Sequence, residues 1–211
     1  MYKPERLLAF CDGVIAIAIT LLVLGLEVPS VHDVPEQKLL EYLEQAFHPL
    51  LGYISSFILV GTYWLQHYVI HHHVTHVDRR FVALNGLFLL CISFVPFPTG
   101  LQASYRHDEL AMVLYATTQA ICGLLLLAIW TYATRGRRLV SPTLSAQTVS
   151  SMSWRIAMTP LISLAAIIVS FINIDASRLL FLAIPAAYFS HRLVDAESRH
   201  VPAAKEGDAR E

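Results

Sequence analysis

Charge is what this sequence has least of: Asp, Glu, Lys and Arg make up 15% of its 211 residues, against roughly a quarter in soluble globular chains. With 55% hydrophobic residues and a mean hydropathy of +0.54, that scarcity excludes an ordinary soluble domain and defines an integral membrane protein. Cysteine is scarce as well. Cys11, Cys91 and Cys122 all fall inside apolar stretches, so they suggest neither a disulfide framework nor a Cys-rich metal site. The Gly-x-Ser-x-Gly pattern is missing, and Ser93, Ser163 and Ser170 have no histidine at matching depth, which argues against an intramembrane hydrolase. There is no internal duplication, no separate soluble domain and no low-complexity tract, and nothing points to nucleic acid. Lys3 and Arg6 ahead of an apolar run imitate a signal peptide, but the run is too long and no small-residue cleavage site follows it.

What is present is a set of apolar segments. Six are read, at 7–26, 48–70, 81–104, 110–133, 154–173 and 177–192, and all are predicted to be helices because isolated strands cannot satisfy their backbone groups in lipid. The fold class expected is therefore an all-α integral membrane protein with six transmembrane helices, one domain over 1–192 followed by a polar cytoplasmic tail over 193–211. Pro96, Pro98, Pro160 and Pro185 mark kinks or helix ends. The segment EQKLLEYLEQAF reads as an amphipathic extension of the second helix. With both termini cytoplasmic, only Lys38, Arg106 and Arg178 of the 15 Lys and Arg fall outside, a strong positive-inside bias that predicts a multi-pass cell-membrane protein.

The first segment, RLLAFCDGVIAIAITLLVLGLEVP, holds Asp12 in its first third and Arg6 at its start. Charges in lipid are costly and must be paired or wetted. At about 100° per residue a single stripe appears: Gly13, Ile17, Thr20 with Leu21, Leu24 and Glu27, with Arg6 near it. Copies of this helix around an axis would make Ile17 an apolar ring, with Thr20 hydroxyls and Leu24 beyond it and Glu27 at the outer mouth. An acidic mouth concentrates cations, and a narrow apolar ring gates conduction by expelling water. The same stripe is also what any helix packed in a bundle shows.

Asp12 points about 140° away from Ile17, into the bundle. Trp64, His67 and Asn85 share its depth, so a cluster of Arg6, Asp12, His67 and Asn85 shielded by Phe10 and Trp64 is predicted. It either fixes the angle of the first helix or uses His67, whose charge changes near neutral pH.

At these residues the chain resembles the prokaryotic branch of the transmembrane protein 175 family, potassium-permeable channels whose animal members sit in endosomes and lysosomes. The family's Arg-x-x-x-Phe-Ser-Asp signature stands here as Arg6, Phe10, Cys11 and Asp12, followed by GVIAIAITLLVL. YWLQH at 63–67 and NGLFLLCISFVPFPT at 85–99 continue the likeness. The resemblance implies a homotetramer in the lipid bilayer with a central pore lined by the first helix, and potassium as the permeant ion among monovalent cations. It implies no cofactor and no enzymatic activity. The family's bulky apolar constriction, five positions after the motif Asp, corresponds to Ile17; Thr20, Leu21 and Leu24 match the pore-lining positions beyond it. The Thr-Val-Gly-Tyr-Gly carbonyl filter is absent, so preference for potassium over sodium is expected to be modest. Cys11 replaces the usual Ser, and a thiol is a weaker hydrogen-bond partner than a hydroxyl; it is also simply a small packing residue.

Two other readings compete. His72 and His76 in HHHVTH would face one ion if the helix continued, as imidazoles are common metal ligands; a juxtamembrane segment of His71, His72, His73 and His76 beside Asp78, Arg79 and Arg80 is the plainer account. A proton-coupled secondary transporter would use Asp12 and His67 as a relay, but such transporters often carry broken helices around a midplane site, whereas this ionisable cluster lies near one face.

Overall fold

The computed structural model of the chain describes residues 4–26 and 38–189. Eight α-helices account for most of them: α1 Pro4–Leu21, α2 Leu39–His73, α3 Arg79–Phe94, α4 Pro96–Ser104, α5 Glu109–Thr134, α6 Ala146–Ser170, α7 Ile174–Leu180 and α8 Ala183–Phe189. Four helical segments, Pro4–Gly25, Arg79–Ser104, Glu109–Arg137 and Ala146–Ser170, are long and apolar enough to cross a membrane. The chain is a multi-pass membrane protein, and these segments coincide with the first, third, fourth and fifth apolar runs of the sequence.

The second run lies inside α2. At 35 residues this helix is about 52 Å long, well beyond the roughly 30 Å of a hydrocarbon core. Its first turns, from Leu39 to His48, are the amphipathic extension expected from the sequence, and Gly, Ser, Thr, Gln and His dilute the apolar residues of the rest.

The sixth run does not form the single helix expected over 177–192. It divides into α7 and α8 around a turn at Phe181 and Leu182. The cause is Pro185, which has no N–H for the Phe181 carbonyl; that carbonyl accepts instead from Ile184 N at 3.3 Å. The same physics separates α3 from α4: Pro96 cannot donate to Ile92 O, so Val95 N does, at 3.1 Å.

Pro160 behaves differently and stays inside an unbroken α6. Its ring is received by Gly123 of α5, where a Cβ would stand 2.7 Å from Pro160 Cδ. Helix starts are set by short acceptors: Asp78 takes Phe81 N at 2.8 Å, Asp108 takes Leu110 N at 2.8 Å, and Ser145 takes Thr148 N at 3.0 Å. α5 ends where Gly136 adopts φ 64°, the left-handed conformation that glycine reaches at little cost.

α5 is the central helix, packed against α6, α3, α4 and α2. Met112, Leu126, Ile129 and Trp130 on it are fully buried. α1 packs on α3 and α2 at one side of this core. At the arginine-rich end of the bundle the two connections α2–α3 and α5–α6 are tied together. Thr75 N bonds Leu139 O at 2.9 Å, and Val74 and Val140 form an antiparallel bridge.

Candidate ion pathway and interhelical network

α1, taken with the 3-10 turn Leu22–Gly25 that continues it, has two unlike faces. Cys11, Ile15, Ala18 and Leu22 recur at helical spacing and are buried against α2 and α3. The opposite face is bare: Ile17 is 61% exposed, Leu21 41% and Leu24 74%, and Gly13 has open space around it. Thr20 lies on this bare face as well, its hydroxyl donating back to Ile17 O at 2.8 Å. The stripe read from the sequence is therefore the face that the chain's own described helices leave uncovered. Glu27, expected at the outer mouth, lies outside the described residues, as does the 193–211 tail.

Asp12 is half-buried at the flank between the two faces, and its Oδ1 accepts from Trp64 Nε1 at 2.9 Å. His67 Nε2 lies 2.9 Å from Asn85 Oδ1, and Asn85 Nδ2 donates to Phe81 O at 2.8 Å. That second bond fixes the amide orientation, so the oxygen facing His67 only accepts and Nε2 must carry the imidazole proton. His67 stacks on Phe88 with centroids 5.5 Å apart; both His67 and Asn85 are fully buried.

The cluster expected from the sequence is thus two separate pairs, Asp12–Trp64 and His67–Asn85. Trp64 is a partner of Asp12 rather than only its shield. Arg6 and Phe10 do not join either pair: both are exposed, Phe10 by 63%. Residues 6 and 10 lie about 120° and 160° around the helix from residue 12, which places them on the bare stripe with Gly13 and Ile17. Cys11 sits fully buried on the packed face.

His71 is the residue that sequence reasoning did not place. The HHHVTH pattern groups it with the juxtamembrane histidines, but α2 carries it into the bundle, where it is buried, its ring centroid 4.1 Å from that of His67 and its Nδ1 3.0 Å from His67 O. The signal was the i, i+4 spacing of His67 and His71. His72 is exposed, and α2 ends at His73 with Val74 extended. The i, i+4 arrangement of His72 and His76 on one helix therefore does not form; His76 Nδ1 meets Thr75 Oγ1 at 3.1 Å instead. Among the described residues no group of three or more His, Cys, Asp or Glu stands close enough to hold a metal ion.

Outside the membrane-spanning segments, Asp78 anchors the arginine-rich end. Partial desolvation pushes its carboxyl up, but the Tyr132 hydroxyl at 2.5 Å, Phe81 N and the Arg138 charge together hold it below the ordinary carboxylate range. Arg138 also lies over the Tyr132 ring, 4.7 Å from its centroid.

The described residues form a multi-pass helical membrane protein whose first helix turns a small and apolar face away from its own bundle and anchors its acid by one indole. Comparison with known proteins makes the class specific. Residues 6–96 match the family model described as endosomal/lysosomal potassium channel TMEM175. A potassium channel of Streptomyces collinus is 33% identical over 162 residues, 75% of this chain and 78% of that one. The endosomal/lysosomal proton channel TMEM175 of Gallus gallus is 29% identical over 208 residues, 90% of this chain and 42% of that one. A crystal structure of a lysosomal potassium-selective channel TMEM175 homolog from Chamaesiphon minutus superposes with a TM-score of 0.75 at 31% identity, covering 90% of this chain and 97% of that one. The chain belongs to the TMEM175 family, whose members are ion channels and not enzymes.

Proposed function

We propose that this chain is a potassium-permeable cation channel in which copies of α1, four to a pore, surround a common axis with Ile17 at the narrowest point. The observation that carries the reading is the bare face of α1, with Ile17, Leu21 and Leu24 exposed while Cys11, Ile15 and Ala18 are buried. Relatives named as potassium channels support the choice of ion. Ile17 side chains around the axis exclude water when they approach and admit a hydrated ion when they part, and exposed Thr20 hydroxyls take over part of the hydration shell one turn on. Without rings of backbone carbonyls, discrimination between potassium and sodium is modest. Six spans per subunit, with the second in α2 and the last made by α7 and α8 together, bring both termini to the cytoplasmic side of the cell membrane. This agrees with the charge bias of the loops.

The test must separate a pore wall from a lipid-facing wall, since both are apolar. Ile17→Cys, made in a Cys11→Ser background and reconstituted in liposomes with a potassium gradient, is exposed to a membrane-impermeant, charged thiol reagent. Block of potassium flux is expected. Unchanged flux, together with unchanged leak in Ile17→Asn, would remove Ile17 from the pore.

A second reading, proton movement through Asp12 and His67, draws on the buried His67–His71 pair and on relatives named as proton channels. Potassium flux that stops unless protons move stoichiometrically would favour it over the channel.

A further inference from the structure

We propose that Cys91 and Cys122 form an oxidisable dithiol in the middle of the bundle, in which a lipid-soluble organic hydroperoxide converts the pair to a disulfide that staples α3 to α5. The two side chains meet across the α3–α5 interface, Cys122 Sγ donating to Cys91 Sγ at 2.9 Å. Unbonded heavy atoms ordinarily rest farther apart, about 3.5–4.0 Å even for carbons, and a disulfide requires about 2.05 Å. Both cysteines are free thiols. Each lies near the centre of its span, Cys91 in Arg79–Ser104 and Cys122 in Glu109–Arg137, where only lipid-soluble oxidants reach.

The two thiols are not equivalent, and the difference orders the chemistry. Cys122 is fully buried. Cys91 is partly exposed, beside Leu87, Leu90 and Phe94 on the side of α3 that its own bundle leaves open. Its sulfur receives the Cys122 S–H, while its own proton is directed at Thr118 O, 3.6 Å away. Cys91 is therefore the thiol that reacts first. Its sulfur attacks the terminal oxygen of the hydroperoxide, the O–O bond breaks, and the alcohol leaves with the thiol proton; sulfur is oxidised by two electrons to a sulfenic acid and the peroxide is reduced by two. Cys122 sulfur then attacks Cys91 sulfur, the S–O bond breaks, and water departs with the Cys122 proton as the S–S bond forms. The closed loop ties α3, which carries Asn85, to the central helix. The bond itself does not depend on the channel reading.

The full chain in liposomes is treated with cumene hydroperoxide, denatured, alkylated with N-ethylmaleimide and weighed intact, with peptide mapping to locate any bridge. Wild type and Cys11→Ser are each expected to lose two free thiols together through a bridge between residues 91 and 122, restored by dithiothreitol. Cys122→Ser is expected to stop at a sulfenic acid on residue 91, trapped by dimedone. Three alkylatable thiols after a treatment that oxidises a cysteine-bearing transmembrane peptide in the same vesicles would overturn the proposal. So would a bridge that uses Cys11 or joins two chains.

Discussion

Replacing Asn85 by Leu tests whether the buried His67 depends on a single partner. The imidazole has no exposure, its Nε2–H is received by Asn85 Oδ1 at 2.9 Å, and its Nδ1 has no hydrogen-bond partner among the described residues. Leu removes that acceptor and leaves a buried donor orphaned, at about 1–3 kcal/mol. The Phe81 carbonyl, which also receives Asn85 Nδ2, keeps its ordinary intrahelical donor and adds little. For a chain of this size each kcal/mol moves the midpoint by roughly 2–4 °C, so a central cost of about 2 kcal/mol lowers Tm by roughly 4–8 °C. The assay is thermal unfolding in detergent, followed by intrinsic fluorescence and by loss of the size-exclusion peak. The decisive variant is the double one, Asn85→Leu with His67→Phe. Both polar partners are then gone and an aromatic ring still packs on Phe88, so at least half the lost Tm is expected to return. A single variant as stable as wild type, or a double variant no better than the single, would refute the hydrogen-bond account.

Three further outcomes are expected. Gly123→Ala places a Cβ 2.7 Å from the Pro160 ring and 3.2 Å from Thr159 Cγ2; overpacking of about 1–3 kcal/mol outweighs the roughly 1 kcal/mol gained in helix propensity, so Tm falls, while Gly61→Ala, with open space around it, does not lower it in the same melt. Trp64→Phe removes the donor to Asp12; hydrogen bonds to charged groups contribute about 1.5–3 kcal/mol, and since Trp64 is 38% exposed the loss read by thermal unfolding is about 1 kcal/mol. Asp78 has a folded pKa below its ordinary value, so its contribution is fully present above the unfolded pKa, about 3.9, and is lost as pH falls through the folded one. The Tm difference between wild type and Asp78→Asn is therefore expected to shrink as pH drops below about 4, and a difference that grows there would contradict the assigned contacts.

The pattern of legibility follows from what helical spacing encodes. The bare face of α1 was readable because Ile17, Leu21 and Leu24 on one side and Cys11, Ile15 and Ala18 on the other are separated by angle alone. The helix end at Pro96 and the extension of α2 back to Leu39 were readable for equally local reasons. Partnerships between helices were not. That Trp64 rather than Arg6 meets Asp12, that His71 turns inward with His67, and that Gly123 receives Pro160 all depend on the rotation of one helix against another, which no single segment specifies. The division of the last apolar run at Phe181 lay between these cases: Pro185 announced a fault, but its carbonyl partner four residues earlier set where the helix broke.

At the arginine-rich end, Thr75 bonds Leu139 and Val74 pairs with Val140, so two interhelical connections share main-chain bonds and resist shear as one plate. α1 has no part in that plate. Among its described residues it makes no main-chain hydrogen bond to another element, and it is held by apolar packing and one indole, with the 3-10 turn that follows it bringing Gly25 close to Gly100. Tilting or rotating α1 therefore breaks no main-chain hydrogen bond among these residues, and the mechanical compliance of the molecule is concentrated in the helix that faces outward, with the remaining helices serving as its mount.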